Sequence, residues 1–218
     1  MADDWCKCDG PRVLLVEGRT DCHVVLALCA ACGVPETFGL YQCDSDDGVL
    51  RRLNALMLAP DRPRVIGVML DADKPEACPS VSSRWDSIKS TLKRHGYDVP
   101  AQPDATGSII PPLPNKPSVG VWLMPDNREP GMLEDFLLGM VAESAKDTVS
   151  RCIEVARTDG ISSFREAHYS KAMIHTYLAW QDEPGRPLGQ CITCKTLEPG
   201  TATARLFTDW LTRLFSAD

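Results

Sequence analysis

No apolar run in this chain of 218 residues is long enough to cross a bilayer. The longest, Val24 to Val34, falls well short of the ~20 residues a spanning helix needs. The opening Met1-Ala2-Asp3-Asp4-Trp5 is acidic, and it lacks the basic and then apolar pattern of a signal segment. A cytoplasmic protein with no membrane partner is therefore expected. Basic charge is scarce too: 23 Lys and Arg stand against 30 Asp and Glu, a net charge of -7. A protein that grips DNA tightly by itself ordinarily presents a basic face. The balance excludes that class unless metal ions or a partner subunit supply positive charge. There is no Gly-x-x-x-x-Gly-Lys-Ser/Thr loop, so the chain is not itself a P-loop ATPase. Gly-x-Gly-x-x-Gly, Gly-x-Ser-x-Gly and His-Glu-x-x-His are missing as well. The four histidines show no metal-ligand spacing; His168 and His175 could share a helix face, where core or solvated roles are expected.

What is present is ordinary globular composition, 44% hydrophobic and 24% charged, enough for a real core. Ten cysteines are many, yet a chain of this length without an export signal is not a disulfide scaffold. Cys29-Ala30-Ala31-Cys32 and Cys191-Ile192-Thr193-Cys194 have the spacing of metal knuckles, and Cys6-Lys7-Cys8 could add ligands. Structural zinc wants a closed four-ligand site on turns. The first pair falls inside an apolar helix, so free thiols are expected.

Apolar runs bounded by Gly and Pro predict strands at 12–17, 37–42, 64–70 and 119–124. Helices are predicted from Thr20 to about Gly33, from a Ser45 cap to Pro60, and from Ser82 or Ser83 to Gly96. Residues 99–118 are proline-rich and read as an excursion with a short edge strand at Ser108-Ile109-Ile110. Beyond Gly131 the pattern is helical, at about 132–143, 147–158, 163–181 and 201–216. Strands alternating with helices imply right-handed crossovers and a parallel sheet. The expected fold is α/β and Rossmann-like: a mostly parallel four-stranded sheet flanked by helices over 1–143, with a helical C-terminal extension, 144–218, packed on the same domain. Trp180, Phe207, Trp210, Leu211, Leu214 and Phe215 fall at packing intervals, for the core or for the interface of a homo-oligomer.

Acidic residues gather where predicted strands end. Val13-Leu14-Leu15-Val16 runs into Glu17, with Asp21 in the first turn of the next helix; Val65 to Leu70 runs into Asp71-Ala72-Asp73. Open parallel sheets collect ligand chemistry at the carboxyl ends of their strands. Asp71 and Asp73, two apart in extended chain, can face the same side. A single acidic residue after a strand is ordinarily a helix cap or a solvated turn. Four carboxylates on one rim repel one another, and a hard cation such as Mg²⁺ or Mn²⁺ resolves the repulsion.

Val16-Glu17-Gly18-Arg19-Thr20-Asp21 followed by Asp71-Ala72-Asp73 resembles the Toprim domain shared by primases, topoisomerases and nucleases of the OLD type. The similarity is closest to a small Toprim-related family and covers roughly residues 12–140, including Trp122-Leu123-Met124-Pro125-Asp126-Asn127 and Gly131-Met132-Leu133-Glu134-Asp135-Phe136. The resemblance implies that Glu17 is a metal ligand or general acid/base and that Asp71 and Asp73 hold divalent metal. It implies further that Asp21 and Glu134 complete a two-metal site of Mg²⁺ or Mn²⁺. A downstream lysine, best matched by Lys171 with Lys116 and Lys74 as alternatives, would neutralise charge at the scissile phosphate. Asp126 and Asn127 are expected near the substrate, while Asp135 could instead start the helix.

Three readings follow. The first is a metal-dependent Toprim nuclease cutting DNA, or less readily RNA, as effector of a multi-subunit, defence-like assembly with an ATPase or other protein partner. The second is a catalytically silent Toprim-like module acting through a partner. The third, a glycosyl or phosphoryl transferase holding a metal–nucleotide on Asp71-Ala72-Asp73, accounts for neither Glu17 nor Asp21.

Overall fold

The computed structural model describes residues 6–8, 10–72 and 81–216, Ser82 by its backbone only. Asp73, Lys74 and the acidic opening Met1 to Trp5 lie outside the described residues. Five strands form one mixed sheet: β1 (Arg12–Val16), β2 (Gly39–Gln42), β3 (Val65–Asp71), β4 (Ser108–Ile110) and β5 (Ser118–Met124). Their order is β2-β1-β3-β5-β4. All neighbours are parallel except β4, which runs antiparallel on the β5 edge.

The expectation of four strands is corrected here to five. β4 is the edge strand read in the proline-rich excursion, and it is held from the side. The Trp210 indole N–H donates to the Ser108 carbonyl at 3.2 Å, and the Arg213 guanidinium donates to the Thr106 carbonyl. Three residues are too few for alternation to announce a strand; tertiary contacts make this one.

Eight helices are described: α1 (Arg19–Cys32), α2 (Asp46–Leu58), α3 (Val81–Arg94), α4 (Leu133–Leu138), α5 (Glu143–Thr158), α6 (Tyr169–Ala179), α7 (Leu188–Thr193) and α8 (Ala202–Phe215). Several predicted boundaries shift. α1 begins one residue before Thr20, because Asp21 Oδ2 accepts from the Gly18 amide at 2.9 Å and so closes the first turn. Ser45 caps α2 as expected, accepting from the Gly48 amide. The span 132–143 stops at Leu138 before Gly139, and 163–181 divides into a 3₁₀ turn, Glu166–His168, and α6. α7 was not predicted, being six residues long with a Gly inside it. It exists because Gly189 lets it lie against α1, where a Cβ would stand 2.6 Å from the His23 carbonyl oxygen.

Alternation along the buried strands builds two cores. Leu14, Val16, Met69, Trp122 and Met124 face α1, α4, α6, α7 and α8; Val13, Leu15, Ile66, Val68, Val121 and Leu123 face α2 and α3. The C-terminal helices thus complete the core of the sheet's first face. α8 sits on a flat place where Gly67 of β3 and Gly120 of β5 pair in register. A Cβ on Gly120 would fall 2.3 Å from Leu214 Cδ2 and 3.0 Å from Leu214 Cγ. Gly120→Val is therefore expected to lower stability by about 3 kcal/mol, as overpacking does. Urea unfolding should show this, and should show a smaller penalty when Leu214→Ala has already removed the clashing carbons.

Candidate functional site

α1 covers one face of the sheet and α2 the other. The chain therefore reverses its winding direction between the adjacent strands β1 and β3. A crevice opens at the carboxyl ends of strands at such a reversal. Glu17 and Asp71 stand there. β1 pairs with β3 only as far as Leu15↔Val68, while β3 continues to Asp71 alongside β5. The Glu17 side chain takes over where β1 leaves off: its Oε1 accepts the Asp71 amide at 2.9 Å. Asp21 enters from α1, and Glu134 from α4. Asp71 Oδ1 accepts from the Leu133 amide at the start of α4, also at 2.9 Å.

Glu17, Asp21, Asp71 and Glu134 therefore line one cleft of about 660 Å³, with Asp44 as a further carboxylate in its wall. Burial is the main influence on Glu17, Asp21 and Asp71. It raises the Glu17 pKa to about 7, with the neighbouring Asp21 charge adding to the effect. It raises Asp21 to about 6, with Glu134 adding and Lys171 opposing. Asp71 is raised well above the usual carboxylate range, by burial and then by Glu17, Asp21 and Glu134. Each of Glu17, Asp21 and Asp71 spends one oxygen on a backbone amide.

Positive charge meets this rim from two sides. Lys171 of α6 places Nζ 3.7 Å from Glu134 Oε1. Arg84 of α3 donates to the Asp71 carbonyl at 3.2 Å and pairs with Asp46 at 2.5 Å, which holds the Asp46 carboxyl below its usual range. The cleft is completed by His175, one turn beyond Lys171, and by Arg186 in the loop before α7. Sequence reasoning missed Arg84 and Arg186, neither of which carries a local signal. His175 was legible in part, since Lys171, His175, Leu178 and Ala179 share a helical spacing and all four line the cleft.

The other expected residues lie elsewhere. Asp126 Oδ1 accepts from the Arg128 and Glu129 amides and builds a turn. Asn127 is buried, in the left-handed backbone region, with Oδ1 accepting the Leu123 amide at 2.7 Å. Neither lines the cleft. Asp135 Oδ2 accepts from the Met132 amide and starts α4. Lys116 donates to the His95 carbonyl and lines a separate cleft beside Arg12 and Val65, at the amino ends of β1 and β3.

Oxygen donors that repel one another when ionised suit Mg²⁺ or Mn²⁺ in kind. Among the described residues, however, no group of three or more His, Cys, Asp or Glu is placed to hold a metal ion. The paired cysteines form no such group among the described residues either, Cys29 and Cys191 being buried and Cys32 and Cys194 exposed. Among the described residues no helix is long and apolar enough to cross a membrane.

Comparison with known proteins gives one match. A family model described as "Protein of unknown function (DUF3226)" matches residues 11–216. No curated protein and no solved structure matches.

Proposed function

The chain belongs to the DUF3226 family, which brings no activity with it, and we propose from the site itself a Toprim-like, divalent-metal-dependent nuclease acting on nucleic-acid phosphodiester bonds. The observation that carries the reading is the meeting of Glu17, Asp21, Asp71 and Glu134 at the β1/β3 reversal, beside Lys171. Asp71, Asp21 and Glu134 would hold Mg²⁺ or Mn²⁺ only after drawing closer than they stand here, with Asp73 beyond the described residues as a further donor. The bound ions would supply the positive charge that offsets the phosphate and the departing oxygen.

The chain's own groups do the rest. Glu17, anchored through Oε1, offers Oε2 to take a proton from the attacking water, and its burial keeps it basic enough to hold that proton near neutral pH. Lys171 is half-exposed and faces the acidic rim, so it can meet a phosphate oxygen that displaces its contact with Glu134. A negatively charged protein attracts nucleic acid poorly unaided. We therefore place the chain in an assembly whose partner, an ATPase or another protein, supplies the basic surface; DNA is the preferred substrate.

Supercoiled plasmid incubated with Mg²⁺ or Mn²⁺ should be nicked, and EDTA or Asp71→Asn should stop the reaction. Nicking at the wild-type rate by Asp71→Asn overturns the proposal. Lys171→Ala should slow cleavage roughly 100-fold, as loss of one charge-stabilising donor does. Lys116→Ala should leave it unchanged, because Lys116 lines a different cleft.

A second reading is a silent module whose rim takes a cationic group of a protein partner. It draws on the absence of a metal-ready group among the described residues. Calorimetry separates the two: binding of a partner with no heat from Mg²⁺ or Mn²⁺ favours the module.

A further inference from the structure

The Cys191 and Cys194 thiols lie apart from the acidic rim and take no part in the chemistry above. They are three residues apart at the end of α7, a spacing that places Cα atoms within the range a disulfide spans. Their surroundings differ sharply. Cys191 is 2% exposed, packed in the core between α7 and α1, and donates weakly to the Arg186 carbonyl at 3.5 Å. Cys194 is exposed, with Sγ 3.2 Å from the Thr196 hydroxyl and 3.6 Å from the Cys191 carbonyl.

The Thr196 hydroxyl, then the Thr196 amide and the Arg186 guanidinium, hold the Cys194 thiol below its usual range. Burial pushes Cys22, Cys29 and Cys191 the other way. An accessible thiol beside hydrogen-bond donors and an arginine is the environment of a reactive cysteine. A buried thiol three residues earlier is placed to resolve what it forms.

We propose that Cys194 and Cys191 form a redox site, in which Cys194 is oxidised by a peroxide and Cys191 closes the disulfide. Cys194 thiolate attacks one peroxide oxygen; the O–O bond breaks, leaving a sulfenic acid on Cys194 and releasing hydroxide, which takes a proton to become water. The Cys191 sulfur then attacks the Cys194 sulfur, expelling the sulfenic oxygen as a second water. Two thiols are oxidised and one peroxide is reduced. Closure takes away the thiol that Arg186 meets, a residue that also lines the acidic cleft, so oxidation changes the contacts of that wall.

The test uses the full-length reduced protein and hydrogen peroxide. Near one equivalent, intact mass should fall by two hydrogens, and peptide mapping should join Cys191 to Cys194. Cys191→Ala, which keeps the position apolar, should stop at a sulfenic acid on Cys194 that dimedone traps. Arg186→Ala should slow iodoacetamide labelling of Cys194 about threefold to tenfold at neutral pH. Labelling of Cys194 no faster than of the exposed Cys8, Cys32 and Cys152 overturns the proposal, as does a disulfide that joins neither member of the pair.

Discussion

Replacing Glu17 with glutamine is expected to cut metal-dependent nicking by three to four orders of magnitude while leaving the fold intact, about what loss of a general base costs. Glutamine keeps the carbonyl oxygen that accepts the Asp71 amide, so the link between β1 and β3 survives. What it removes is the proton acceptor and the charge. Removing a half-buried charge from among Asp21, Asp71 and Glu134 should also stabilise the ion-free protein at alkaline pH. Loss of activity with a rise in Tm at pH 8 is thus the expected pair of results. Activity retained in this variant would remove Glu17 from the mechanism, and a large fall in Tm would recast it as a strand-end brace.

The second large effect is the dependence of stability on pH and on divalent ions. Glu17 moves from 4.5 to about 7 on folding and Asp21 from 3.8 to about 6, burial being the first cause in both. Between its unfolded and folded pKa values such a carboxyl binds more proton in the folded chain. Its contribution is therefore full below the unfolded value and is lost as pH rises through the folded one. For Glu17 alone the loss between pH 4.5 and pH 7 amounts to about 3 kcal/mol. The ion-free protein should accordingly lose Tm between pH 5 and pH 8, and Glu17→Gln should lose less. Mg²⁺ or Mn²⁺ at a hundredfold excess over its Kd should then raise Tm at pH 8 by roughly 5 to 10 °C. Asp71→Asn should abolish the rise. A Tm indifferent to both ions in the wild-type protein would count against metal binding, whatever the nicking assay shows.

How much of this was legible beforehand differs by element. β1, β3 and β5 are buried on both faces, and their near-continuous apolar runs announce them. α1 and α2 carry their stops and caps in Gly33 and Ser45. Glu17 and Asp71 could be placed on one rim because parallel strands end together, and Asp21 because it lies one turn into the following helix. α7 could not be foreseen, and β4 could be read only as a short edge strand. Each is only a few residues long, and each is held by partners far away in the chain: Trp210 and Arg213 for the first, His23 for the second. Asp126 and Asn127 stand away from the cleft for the reverse reason. Asp126 Oδ1, read as a substrate contact, serves the turn, and Asn127 Oδ1 serves the Leu123 amide.

Local order along the chain, then, settled the long strands and helices, and which acidic residues stand at strand ends, because burial pattern and capping act over a few residues. Which basic side chains face those acids was decided only by folding. Lys171, His175, Arg186 and Arg84 arrive from helices and loops that close over the sheet, and no short-range pattern encodes that meeting. The carboxylates' affinity for protons is likewise a tertiary property, since it comes from the burial that those same elements impose.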